Sequence, residues 1–127
     1  MAAYTTKIQT IVTFSGAASG SMTGQVVDTG GTFAATTNTF PAASAGASLT
    51  MAFTKANLQS FYLVADQNCT VKTNSNSTPQ DTITLVAGVP YVWSLSAGLT
   101  NPFGGNVTSA FVTCTPATTL RYGILQA

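Results

Sequence analysis

The stretch Gln59–Trp93, QSFYLVADQNCTVKTNSNSTPQDTITLVAGVPYVW, decides the reading of the fold. Three β-patterned runs stand out in it: Phe61–Asp66, Cys69–Thr73 and Thr82–Val86. A polar bend of Asp66, Gln67, Asn68 and Cys69 joins the first two, and an Asn/Ser/Thr/Pro loop joins the last two. Asp and Asn suit such bends because their short side chains bond nearby backbone and tolerate left-handed conformations. Ile83, Leu85 and Ala87 fall on one face and Thr82 and Thr84 on the other, the period of a half-buried strand. The expectation is a β-meander of the kind that seeds a sandwich or barrel.

Working outward from this stretch, short β patterns continue in both directions. Towards the N-terminus, Leu49, Met51 and Phe53 alternate with Thr50, Ala52 and Thr54 as a strand, and Lys55–Gln59 reads as one helical turn. Pro41–Ser48 is small and loop-like, Thr32–Phe40 is Thr-rich and β-favouring, and Gln25–Asp28 reads as a short strand before a Gly30-Gly31 turn. Ser15–Gly24 reads as a Gly/Ser/Ala loop; no Lys-Ser/Thr pair follows it, so it is no phosphate cradle. Thr6–Phe14 is a first strand, with Ile8, Thr10, Val12 and Phe14 on one face and only Ile11 breaking the polar side.

Towards the C-terminus, Tyr91, Trp93 and Leu95 share a face, and Asn101–Asn106 is a strong turn signal. Val107–Thr115 and a last strand carrying Leu120, Tyr122 and Ile124 complete the series. No segment sustains a 3.6-residue period. About eight short strands separated by turns predict one all-β domain over residues 1–127, an antiparallel β-sandwich or jelly roll. A chain of 127 residues buries enough surface to be stable without metal or disulfide.

Charge is the unusual feature of the composition. Only 6% of residues are charged, against about 25% in typical soluble domains. Lys7, Lys55, Lys72 and Arg121 are the cations, and Asp28, Asp66 and Asp81 the anions. Net charge is +1, so nothing electrostatic keeps copies apart, which suits a surface shared with neighbours in an assembly. No apolar run approaches the roughly 18 residues of a membrane span. The N-terminus lacks a cationic stretch followed by an apolar core, so no secretory signal is expected. Cys69 and Cys114 are then expected to stay reduced and buried, a bridge between two strands being the alternative. The Cys…Trp…Cys order around Trp93 does not fit an immunoglobulin domain, because Val112 stands where the tyrosine corner requires Tyr.

The same inventory excludes most chemistry. With no His there is no Ser-His-Asp or Cys-His pair and no His metal site. Asp66 and Asp81 are the only acids close in sequence, and both sit where turns want Asp, so a glycosidase pair is not expected. Two Cys and three Asp make no convincing zinc or calcium site. Four scattered cations do not neutralise a run of phosphates, so no nucleic acid is expected as partner. Sequons at Asn68, Asn76 and Asn106 are about what chance supplies in a chain this rich in Ser and Thr. No catalytic residue, cofactor or metal ligand is therefore assigned.

Two features are interaction candidates. Phe103, between Pro102 and Gly104, is either an exposed anchor at a loop tip or a ring tucked over the core. The N-terminal strand, residues 1–14 with Ile8, Ile11, Val12 and Phe14, is self-contained and followed by glycines, as a strand exchanged between subunits would be.

The second half, LQSFYLVADQNCTVKTNSNSTPQDTITLVAGVPYVW…NPFGGNVTSAFVT…LRYGIL, resembles small virion proteins encoded by tailed bacteriophages, over residues 58–125. The shared features are the strand–Asp–strand opening, the VKTNS segment, the DTITLVAGVPYVW run and the closing NPFGGNVTSAFVT. The resemblance implies a non-enzymatic capsid decoration or cement protein of β-sandwich type, located in the virion. It implies a homo-oligomer, a trimer in the first place, with the major capsid protein as partner. Other expectations are a tail or fibre component, or a carbohydrate-binding β-sandwich module. A sugar module would display Tyr62, Tyr91, Trp93 or Tyr122 on one exposed face, whereas alternation assigns most of these to the core.

Overall fold

The computed structural model of the chain describes residues 3–17 and 19–127, with Phe14 described by its backbone alone. Its strands are β1 (Tyr4–Phe14), β2 (Gly20–Gly30), β3 (Thr32–Phe40), β4 (Ser44–Leu49), β5 (Leu58–Ala65), β6 (Cys69–Thr73), β7 (Thr82–Leu85), β8 (Tyr91–Ser94), β9 (Ala110–Cys114) and β10 (Thr118–Gln126). Lys55–Asn57 forms a single 3-10 turn ahead of β5. The protein is all-β, and every strand pairing is antiparallel.

Three sheets result. Two have four strands each, in the orders β3-β10-β5-β8 and β4-β9-β6-β7; the third is the β1–β2 ribbon. One continuous core draws from both larger sheets: Phe61, Leu63, Trp93, Tyr122 and Ile124 from the first, and Leu49, Val71, Ile83, Leu85 and Val112 from the second. Alternation along each strand selects these residues, since successive side chains leave opposite faces of a sheet. Each such aliphatic or aromatic side chain stabilises by about 1.5–3 kcal/mol when fully withdrawn from water.

The expected meander is corrected. The Phe61–Asp66 and Cys69–Thr73 runs do not pair; β5 belongs to one sheet and β6 to the other, and only β6 and β7 are neighbours. The polar bend carries the chain between sheets. Asp66 fastens it to β10, its carboxylate accepting the Thr119 amide at 2.8 Å while its own amide donates to the Thr119 carbonyl at 3.1 Å. Periodicity told which side chains face inward but not which strand lies alongside.

Four boundaries also differ. Pro41–Ser48 is not loop throughout: Ala43 and Gly46 take positive φ (59° and 74°), and between and beyond them β4 pairs irregularly with β9. Leu49, Met51 and Phe53 are buried and Thr50 and Ala52 exposed, as alternation requires. Yet the ladder ends at Leu49, and Phe53 meets only Val107, because the Thr50 carbonyl accepts the Tyr122 hydroxyl instead. Gly20–Gly24 lies in β2 rather than in a loop, its conformation set by pairing with β1 rather than by composition. Leu95 and Ala87 are exposed because β8 and β7 end before them.

Cys69 and Cys114 face each other in the β6–β9 register, both buried and both free thiols. Among the described residues no helix is long and apolar enough to cross a membrane.

Candidate functional site

The β1–β2 ribbon is the part of the molecule that the core does not explain. It runs in unbroken register from Tyr4↔Gly30 to Phe14↔Gly20, so its eleven residue pairs extend for about 35 Å at roughly 3.3 Å per residue. Neither strand pairs with any other sheet. Directly opposed residues of an antiparallel pair point to the same side. Tyr4, Thr6, Ile8, Thr10 and Val12 therefore share one face with Gly30, Asp28, Val26, Gly24 and Met22.

The base of that face is fastened to the outer surface of the β3-β10-β5-β8 sheet. Asp28 is 2% exposed; its carboxylate accepts the Ser94 hydroxyl and, at 3.0 Å, the Ser96 amide. The Thr6 and Ser60 hydroxyls bond at 2.6 Å. Gly30 lies so close to β10 that a Cβ would stand 2.3 Å from the Gln126 carbonyl oxygen, so glycine is required for the approach. Ser60, Ser94 and Leu125, which alternation places on the outside of the sheet, are buried because the ribbon base covers them.

Beyond the base the same ribbon stands in solvent. Val12 and Met22 on the anchored face are 42% and 61% exposed, and Ile11 on the other face 63%. Ile8 is half-buried near the base, and Phe14 occupies a register position opposite Gly20, its side chain lying outside the described residues. No charged residue occurs between Lys7 and Asp28.

Between the ribbon base and the sheet lies a groove of about 340 Å³, lined mainly by Ile8, Phe33, Tyr62, Pro90 and Val92 with Lys7 at its edge. Phe33, Tyr62 and Val92 are each more than a third exposed. The Tyr62 ring crosses Gly123 on the neighbouring strand, where a Cβ would meet the ring at 2.2 Å, and Tyr4 packs on Phe33 with centroids 6.2 Å apart. The outer face of the opposite sheet is different in kind: Thr70, Lys72, Thr82, Thr84 and Thr113 dominate it. Phe111, opposite Lys72, is the partly exposed apolar side chain among them.

Phe103 is not an exposed anchor. It is 1% exposed and packs edge-on against Phe53 and Phe61, with centroids at 4.8 and 5.0 Å. The loop that carries it is held by the Asp81 carboxylate, which accepts the Gly104 amide at 3.0 Å. The aromatics named for a sugar platform do not assemble either. Trp93 and Tyr122 are buried, with the Trp93 indole donating to the Leu99 carbonyl at 3.1 Å; Tyr91 is half-buried and faces the core, and Tyr62 stands on the opposite surface of its sheet.

The acids and thiols have local duties. Asp66 serves the bend beside β10 and Asp81 the loop at the far end of β6, so they do not face each other across a site. Burial pushes the Cys69 thiol up to about 11, aided by Cys114 and Asp66, so little nucleophilic thiolate exists near neutrality. Among the described residues no three of Cys, Asp, Glu and His come together as metal ligands would.

Comparison with family models, with curated proteins and with solved structures yields no match. The surface itself therefore carries the functional reading. Sequence reading found Ile8, Ile11 and Val12 and read Gln25–Asp28, with Val26 opposite Ile8, as a short strand, but it put Met22, the partner of Val12, in a loop, because glycines and serines masked the first half of β2. One signal was available for Asp28: a lone acid amid Gln-Val-Val and Thr-Gly, in a chain with three acids, marks a carboxylate with a specific bond to make.

Proposed function

We propose that this chain is a non-enzymatic structural subunit of a tailed-bacteriophage virion, a decoration or cement protein that self-associates and braces the major capsid protein. The observation that carries the reading is the ribbon, a long, self-paired element without charge between Lys7 and Asp28, showing Ile11, Val12 and Met22 to water. A two-stranded ribbon is marginally stable alone in water, and exposed strand edges invite pairing with other chains. Such an element is stable and safe when a neighbour covers it.

The strand order supports the same reading. The chain crosses between the β3-β10-β5-β8 and β4-β9-β6-β7 sheets at most of its turns, which fits a jelly-roll sandwich, an architecture that viral capsid domains use. The low charge lets many copies sit close together on a lattice without accumulating repulsion. The resemblance of residues 58–125 to small phage virion proteins points the same way.

Mixing the purified chain with undecorated shells of the matching capsid protein and sedimenting them tests this. Saturable binding at a fixed ratio of chain to capsid protein, with shells that resist heat better, is the expected result. Shells that sediment bare at saturating chain would overturn it.

A further inference from the structure

We infer that the outer half of the β1–β2 ribbon seats on a second copy of this chain, in the groove that the second copy's ribbon base forms with its own β3-β10-β5-β8 sheet. This deepens the assembly reading above and rests on it only for self-association.

The two surfaces match in character. The groove offers Phe33, Tyr62, Pro90 and Val92, and among the described residues Lys7 is the only charged one lining it. The ribbon offers Val12 and Met22 on one face and Ile11 on the other, within twenty consecutive uncharged residues. An occupant with charges would leave them desolvated against this groove without partners, at a cost that an uncharged ribbon avoids.

They cannot meet within one chain. Asp28 on Ser94 and Ser96, Thr6 on Ser60, and Gly30 against Gln126 pin the ribbon base beside the groove. From Ile8 in the groove to Val12 is four residues of strand, about 13 Å, and the register runs on without a bulge. The ribbon cannot double back over its own base, so its outer half is available only in trans.

The anchored face also continues into the free one. In cis, Thr6, Asp28 and Gly30 already cover Ser60, Ser94 and Leu125 on this sheet; three further pairs extend the same face, the last of them Val12 with Met22. On a second copy that strip is already covered, and what its sheet leaves open to the extension is the neighbouring Phe33, Tyr62 and Val92. A contact of this head-to-tail kind closes into a ring when its rotation permits, which a trimer satisfies.

The test uses full-length chains. Met22→Cys and Val92→Cys are made separately, mixed, and oxidised with glutathione disulfide, which accepts the two electrons and leaves two reduced glutathiones. Light scattering is run in parallel on Val12→Asp, whose exposed site leaves the fold intact, as circular dichroism verifies. The expected results are disulfide-linked pairs joining one M22C chain to one V92C chain, absent with either alone, and association weakened at least tenfold in V12D. Oligomers that persist unchanged in V12D without mixed cross-links would overturn the seat while leaving assembly intact. Cross-links only between two Met22→Cys chains would place ribbon on ribbon and overturn it as well. A wild-type monomer whose V12D variant loses shell binding would assign the ribbon to the capsid protein instead.

Discussion

The Asp28 carboxylate accepts the hydroxyl of Ser94, sixty-six positions away, and this buried bond joins the ribbon to the sheet. The second carboxylate oxygen takes the Ser96 amide at 3.0 Å, so one side chain holds the ribbon to β8 and to the turn after it. One of only three acids in the chain is spent on this junction.

Asp28→Ala should therefore release the ribbon without unfolding the two-sheet body. Losing a charged acceptor for two donors costs about 1–3 kcal/mol. Amide exchange of β1 and β2 should accelerate by tenfold or more, while Leu63 and Val71 amides in the body stay protected. Equal acceleration throughout would mean that ribbon and body unfold as one unit.

Tyr62 and Gly123 form a coupled pair. Gly123→Ala drives a methyl into the Tyr62 ring, which must rotate off the strand; overpacking of this kind costs about 1–3 kcal/mol. Adding Tyr62→Ala removes the clash, so the double variant should be less destabilised than the sum of the two single variants in urea unfolding. Simple additivity would show that the ring does not rest on Gly123.

Phe103→Ala separates a core ring from an interface ring. Its burial against Phe53 and Phe61 predicts a loss of about 3–5 kcal/mol in folding stability, measured on the dilute chain. A change in association with unchanged stability would return Phe103 to the surface.

Alkaline pH should weaken the fold through Cys69. Burial, with Cys114 and Asp66 nearby, raises its thiol from 9.0 to about 11, so between those values the unfolded chain has lost the proton and the folded chain still holds it. Stability from this group is complete below pH 9 and is lost as pH rises through about 11. Burial raises Tyr122 and, with Asp81 nearby, Tyr91, and these add in the same direction above pH 10. Cys69→Ala should flatten the fall of the urea midpoint over that range. The wild-type thiols should also resist a thiol-specific dye at pH 8 until denaturant is added.

Much of the fold is legible in the sequence because alternation is a local signal. Thr32–Phe40 and Cys69–Thr73 carry their boundaries in composition and period, and the structure gives them the same limits. Strand partnership is not local. Nothing in Phe61–Thr73 distinguishes a hairpin bend from a crossing between sheets; the bond from Thr119 to Asp66, made fifty-three positions away, decides it. The first half of β2, Gly20–Gly24, and β4 up to Ser48 read as loop because Gly, Ser and Ala are poor strand formers by themselves, and pairing overrode them. Ile8 and Val12 were legible as candidate interface residues through their alternation. The groove opposite them was not, since Phe33, Tyr62 and Val92 come from three strands that only the sheet order brings together.

Self-association through the ribbon is the proposal on which the rest depends. The native mass of the full-length chain, measured by light scattering across a hundredfold range of concentration, tests it most directly. The expected result is a trimer, or a larger closed ring, that dissociates only on strong dilution. A monomer at every concentration would contradict it and leave the ribbon's apolar face without the partner proposed for it.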